Sequence, residues 1–202
     1  KLTEIKAPLQ WSTVPFGDSR LDLNVTPISL NAGSSSDESS RRFGTGALIQ
    51  GEVAKDLYDS STTTPPELPN IDKIKVPSQG SQSTAGVEVA MALTGEQYKL
   101  DVGSTPLGQD LNTVVGGVQW SPQLTDYLKL ILTGERRAVV DSLLSYVGVE
   151  DKYSGKKWGQ VTKNGGSAQL SYDDGDAGFY AGVGLYNYRG ENVPSNDNFT
   201  GN

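Results

Sequence analysis

The residues of this sequence best equipped for chemistry are few. Glu135-Arg136-Arg137 is the sharpest charged group. Counting by twos from Leu132, Glu135 and Arg137 share a strand face with Lys129 and Thr133, while Arg136 points the other way. Such a group serves either as a run of donors and acceptors along a polar wall or as a structural ion pair between strands. Tyr180, Tyr186 and Tyr188 also share one face, separated by glycines, and offer flat apolar surfaces for stacking or simply for packing. Trp158 and Tyr153 fall in a long connection, 138–160, as exposed contacts or as loop anchors. Asp173-Asp174-Gly175-Asp176 reads as a hairpin turn, because Asp-Gly is a strong turn signal and the spaced ligands of a calcium loop are missing.

Catalysis finds little support. The chain has no histidine and no cysteine, which removes the usual general base, thiol chemistry and the common zinc ligands. Nothing in the sequence sets Glu135 and Asp141 across a cleft, as glycoside hydrolysis requires. No phosphate-binding glycine loop is present. The expectation is a protein without catalytic residues, metal or cofactor. A net charge of −7, with 17 basic and 24 acidic residues and no basic patch interleaved with aromatics, makes nucleic acid an unsuitable partner.

These residues must be positioned by strands. Only 35% of the 202 residues are apolar, and no run approaches the ~18 apolar residues of a membrane helix. Short segments alternate with period two instead. Leu21, Leu23 and Val25 oppose Asp22, Asn24 and Thr26; Val87, Val89, Met91 and Leu93 oppose Glu88, Ala90 and Ala92. The same rhythm recurs at 98–102, 114–120, 128–133, 168–172 and 179–186, and more weakly over Leu2–Trp11, where Pro8 intervenes. Connections alternate between long (32–84, 103–112, 138–160, 189 onward) and short (14–19, 95–97, 121–126, 173–177). Long loops at one end and short turns at the other are the outer-membrane barrel pattern. Trp11, Trp120, Tyr127 and Tyr172 stand near strand ends, where interfacial aromatics collect.

Phe43–Tyr58 breaks the rhythm. As a spanning strand, with Ala47, Ile49 and Val53 on one side, it would put long connections at both of its ends. As a helix it aligns Ala47, Gly51, Ala54 and Tyr58 and restores the parity, so a helix or other non-spanning element is expected. The Ser/Thr/Pro-rich stretch 59–84 reads as an exposed loop. The chain opens at Lys1 in mid-pattern without a signal peptide, as a mature or fragmentary piece would.

Several strings carry a more specific message. Val25-Thr26-Pro27-Ile28-Ser29-Leu30-Asn31-Ala32-Gly33, Arg42-Phe43-Gly44-Thr45-Gly46-Ala47-Leu48 and Gly134-Glu135-Arg136-Arg137-Ala138-Val139-Val140-Asp141-Ser142-Leu143-Leu144-Ser145-Tyr146 resemble the C-terminal barrel of the cellulose synthase operon protein C family. So do Asp101–Gly108, Val114–Ser121, Trp158–Gly166 and Tyr172–Gly175, in family order across nearly the whole chain. The resemblance implies an all-β, antiparallel transmembrane β-barrel in the bacterial outer membrane that passes cellulose, a β-1,4-glucan, outward. It implies as partners the glucan itself, outer-membrane lipid, periplasmic tetratricopeptide repeats of the same protein (absent from this sequence) and the inner-membrane cellulose synthase complex. Lys129, Glu135, Arg137, Tyr180, Tyr186, Tyr188 and Trp158 then become candidates for the polysaccharide path. Family barrels have about sixteen strands, and about eight are legible here, so 1–202 is expected to be one segment, the N-terminal part of a barrel truncated at its C-terminus. Alone, an eight-strand closed barrel would fill its interior with its own side chains. The alternative reading is a soluble secreted carbohydrate-binding β domain, which alternates in the same way.

Overall fold

The computed structural model describes residues 2–34, 40–41, 43–62 and 68–201. It is nearly all antiparallel sheet. The strands are β1 (Thr3–Lys6), β2 (Leu9–Phe16), β3 (Ser19–Ser34), β4 (Ser81–Thr94), β5 (Tyr98–Ser104), β6 (Val114–Trp120), β7 (Leu128–Ala138), β8 (Val149–Glu150), β9 (Lys157–Asp173), β10 (Gly178–Glu191) and β11 (Val193–Gly201). They follow the order β1-β3-β4-β5-β6-β7-β9-β10-β11, with β2 on β3 and β8 on β9. The order runs from one free edge to another, so the sheet is an open wall, as a partial barrel would be. β1 and β2 are two pieces of one edge strand on β3, broken at Ala7-Pro8 because proline cannot donate to the ladder.

Register turns the alternating segments into two continuous faces. Leu23 pairs with Met91, Met91 with Val102, and Val102 with Gly116. Farther along, Trp120 pairs with Leu132, Leu132 with Ala168, and Ala168 with Val183. Every apolar set read from the sequence therefore lands on the same side. That side is open: Val89, Met91, Leu100, Val118, Leu170, Val183 and Leu185 are exposed, whereas Glu88, Asp101 and Glu135 opposite them are partly shielded. The polar face is thus the inner, sheltered one.

At the short-turn end the outer face carries aromatics. Tyr172 stacks on Phe179 at 5.0 Å and meets Tyr127 at 6.3 Å, with Trp120 exposed nearby. Trp11 sits deeper, opposite Leu23. The aspartate turn is a hairpin turn: Asp174 accepts from the backbone N–H groups of Asp176 and Ala177, and Asp173 from that of Gly175.

At the other end the strands outrun the band of alternation and a small core forms on the inner face. Ile28 and Leu30 of β3 pack there with Phe43, Val147, Val149 and a helical turn, α2 (Leu143–Tyr146). The segment Phe43–Tyr58 is helical, as α1 (Gly44–Asp59). Only its first turn is buried; Gly51 and Tyr58 of the expected face are exposed, so the helix projects rather than lying on the wall.

Three readings change. The stretch from 189 onward is not a loop, since β10 turns at Asn192, in the left-handed region at φ 55°, and returns as β11. Trp158 lies on β9 rather than in a loop, because β9 begins at Lys157. The 59–84 stretch is not all loop, since Ile71–Lys73 form a 3₁₀ turn and β4 begins at Ser81; its residues 63–67 lie outside the described residues.

Candidate functional site

The inner face carries charge at one height. Asp101 of β5, Gly117 of β6, Glu135 of β7, Gly165 of β9 and Tyr186 of β10 are successive register partners. Arg137 reaches across β6 to Asp101, with its Nη2 2.8 Å from Asp101 Oδ1, and its Nε lies 3.3 Å from Glu135 Oε2. Lys163 Nζ lies 2.8 Å from Glu135 Oε1 and 3.7 Å from the centre of the Tyr186 ring. Five side chains on four strands therefore form one chain of contacts: Asp101, Arg137, Glu135, Lys163, Tyr186.

The glycines between them let that chain lie flat. A Cβ at Gly117 would meet Arg137 Nη2 at 2.6 Å, and one at Gly165 would meet the Tyr186 ring at 2.9 Å. A larger residue at either place would push the charged groups off the wall. Each anion faces a cation, so the network is neutralised internally and leaves free polar edges rather than a concentrated field.

The candidates separate by height. Lys129 and Tyr180 share a rung through Ser171, six residues along the strands from Glu135 and Tyr186, about 20 Å at strand rise. Lys129 enters no ion pair among the described residues. Thr133, Ser167 and Gln169 face inward between the two levels. Tyr188 pairs with Lys163 just above Tyr186. Trp158 stands apart, packed against the loop-end core, with its Nε1 buried and unpartnered among the described residues. Tyr153 is half exposed and donates to Ser78 O. Arg136, on the outer face as its parity requires, donates to Val114 O, Asn164 Oδ1 and Thr113 Oγ1.

Two groups escaped the sequence reading. Asp101 and Lys163 complete the network; their parity was legible, but only the register shows that both reach Glu135 and Arg137. A second group caps the inner face at the loop end. There the Tyr146 hydroxyl donates to Glu88, and Lys6 lies 3.7 Å from Glu88 and 5.6 Å from the Tyr146 ring. Above it is a knot around Asp151, which is fully buried. Asp151 accepts from the Thr45 backbone N–H at 2.8 Å, the Thr45 hydroxyl and the Ser154 hydroxyl at 2.5 Å each, and Gln79 Nε2 at 2.8 Å. Burial raises its pKa, but the hydrogen bonds from Ser154, Thr45 and Gln79 outweigh burial and hold the carboxyl well below the usual range. Gly44, at φ +60°, admits this carboxylate to the first turn of α1, since a Cβ there would meet Asp151 at 2.8 Å. No cluster suited to a metal ion occurs among the described residues.

A sheet with one exposed apolar face and one sheltered, internally neutralised polar face is the wall of an antiparallel β-barrel. The comparisons place this wall in a family. The model of the cellulose synthase operon protein C C-terminus matches residues 1–202. Cellulose synthase operon protein C of Pseudomonas fluorescens (strain SBW25) is 37% identical over 200 residues, covering 97% of this chain and 13% of that protein. Cellulose synthase 2 operon protein C of Komagataeibacter xylinus is 34% identical over 200 residues, 97% of this chain and 14% of the relative. The Escherichia coli (strain K12) protein is 37% identical over 119 residues, 57% of this chain and 10% of its own length. The chain belongs to the cellulose synthase operon protein C family and corresponds to roughly one seventh of the length of the first two relatives.

Proposed function

We infer that this chain is part of the wall of an outer-membrane pore through which cellulose leaves the cell. The observation that carries the reading is the pairing of two faces on one register. A soluble carbohydrate-binding domain would not leave Val89, Met91, Leu100, Val102, Val118, Leu170, Val183 and Leu185 exposed side by side. Lipid covers such a band, and the long-connection end is then the cell exterior. The names of the relatives support cellulose as the cargo.

The inner face does passive work. A neutral glucan offers hydroxyls and the apolar faces of its rings, so its passage rests on weak, repeated hydrogen bonds and stacking. Lys129 and Tyr180 at one height, and Glu135, Arg137, Lys163, Tyr186 and Tyr188 at another, supply both kinds of contact. No step needs a bond made or broken, so the protein acts as a conduit rather than an enzyme. The rest of the pore, the periplasmic repeats and the inner-membrane synthase complex complete the path.

The test uses the complete protein in its host. Cells lacking it should stop secreting cellulose and retain glucan in the periplasm, and the restored protein should fractionate with the outer membrane and need detergent for extraction. Undiminished secretion without it, or recovery in the aqueous fraction, would refute the reading.

A further inference from the structure

The outer face of β7, β9 and β10 departs from a uniform apolar band. Val118, Gly134, Gly166 and Leu185 form one rung, and Leu132, Ala168 and Val183 the next. Gly134, Gly166 and Ala168 make the floor of a shallow groove of about 450 Å³, walled by Val118 and Leu132 on one side and Val183 and Leu185 on the other. The floor is open at Gly134, where a Cβ would meet only Val118, at an ordinary 3.5 Å, whereas one at Gly166 would meet Thr133 O at 2.5 Å. At 66% exposure for Leu185 and 68% for its neighbour Phe199, nothing among the described residues covers this wall.

A polar group closes the groove on the long-connection side. The next rung is Arg136, Asn164 and Asn187, and Arg189 follows two residues on. Both arginines are exposed and on the outer face. Arg136 is held by Val114 O, Asn164 Oδ1 and Thr113 Oγ1, all at 2.8–2.9 Å. Arg189 donates to Asn187 Oδ1 at 2.5 Å. Asp197, the register partner of Asn187, accepts from Asn187 Nδ2. Neither arginine has a carboxylate partner among the described residues, whereas Arg20 is paired with Asp22 and Arg137 with Asp101. One strand separates them, so their Cα atoms lie about 10 Å apart across the sheet and about 7 Å along it. Two fixed cations without an anion thus sit directly above an uncovered apolar groove.

We propose that this is a binding site for one phosphorylated lipid of the outer leaflet: an acyl chain lies along Gly134, Gly166 and Ala168, and the phosphate bridges Arg136 and Arg189. Phosphate suits the fork of a guanidinium, and the amides of Asn164 and Asn187 hold the forks in place. Charge complementarity selects an anionic head, and the groove selects a chain attached to it. The site rests on the membrane reading above.

The test is lipid retention by the complete protein in detergent, read by native mass spectrometry with phosphatidic acid and phosphatidylcholine added in equal amounts. The unmodified protein should keep phosphatidic acid in preference. Arg189→Gln, the milder change because it breaks a single contact, should lower that preference roughly tenfold, and Arg136→Gln with Arg189→Gln should remove it. Gly134→Leu fills the groove and should release the lipid although both arginines remain. Heat-modifiable mobility on a gel reports folding for each; if the double variant does not fold, Arg189→Gln alone decides. Unchanged preference in a folded arginine variant overturns the site. Equal displacement by glycerol phosphate, which has the head and no chain, shows a free-phosphate site instead. A protein that inserts into detergent yet keeps neither lipid refutes this site only; one that needs no detergent refutes the membrane reading itself.

Discussion

The two ends of β3 reverse each other. Toward the short turn, Leu23 and Val25 face outward and are exposed, while Asp22, Asn24 and Thr26 face inward. Past Pro27 the outward residues are Ser29 and Asn31, and the inward ones are Ile28 and Leu30, at 3% and 1% exposure. The strand does not twist onto its other face, since the register with β4 continues from Arg20↔Thr94 to Asn31↔Ser83 without a shift. What changes is the surroundings. On the proposed reading, the apolar side chains point out where lipid would lie outside and turn in toward α2 and β8 where water would. β7 shows the same boundary, passing from Leu132 through Gly134 to Arg136 on its outer face.

The comparison is broken most severely in the loop-end core. Leu30→Ala should leave a cavity among Phe43, Leu143 and Tyr146 and cost about 2–5 kcal/mol, measured by denaturant titration of the complete protein in detergent. A loss within error would mean that this core does not hold the end of the wall. Next is the half whose apolar side chains are exposed. Leu130→Arg should cost about 2–4 kcal/mol if Leu130 sits near the midplane, and Thr133→Arg on the inner face far less. Equal penalties at the two positions would remove the distinction between faces.

Asp151→Asn sharpens the comparison where the two halves meet their cap. It should cost about 1–3 kcal/mol by withdrawing the acceptor that Thr45, Ser154 and Gln79 share. The pH dependence has a definite sign. The folded pKa is depressed, so the contribution is complete above the ordinary aspartate value of about 4 and declines as acid approaches the lower folded value. The unmodified protein should therefore lose stability between neutral pH and strong acid by more than Asp151→Asn does, and parallel acid titrations would contradict it.

The smallest expected effect on stability has the largest reading in function. Replacing Tyr180, Tyr186 and Tyr188 with alanine removes the Lys163–Tyr186 contact, worth about 0.5–2 kcal/mol, and should reduce cellulose export several-fold with folding intact on a heat-modifiable gel. Normal export from the folded triple variant would make these tyrosines packing residues.

Much of the wall was legible because alternation is a local signal. Leu128, Leu130 and Leu132 show their face within six residues, and the Asp174-Gly175 turn shows itself in two. The upper halves of β3 and β9 were not legible. In β3 the sense of the alternation reverses past Pro27, with Ser29 and Asn31 outward and Ile28 and Leu30 inward, and in β9 nothing alternates from Lys157 to Gly166. β11 was read as loop because Asn196, Asp197 and Asn198 lack strand composition; its pairing with β10 overrides propensity. Glu135 and Arg137 were found as a pair, but their partners Asp101 and Lys163 lie on other strands, and only register brings them together. Asp151 has one neighbour in sequence, Ser154, but the partners that make it a knot, Thr45 and Gln79, are 106 and 72 residues away.

That separation has a consequence for how the molecule is made. The hairpin between β4 and β5 closes across a few residues, from Thr94 to Lys99, and costs little chain entropy to form early. The Asp151 knot joins Thr45, Gln79 and Ser154, segments that approach one another only after the strands between them have been laid side by side. Its contacts reward the chain last. The cap at the loop end is therefore expected to close on a finished wall, so that a chain stalled during assembly stays open at that end and exposes an unpaired aspartate to water.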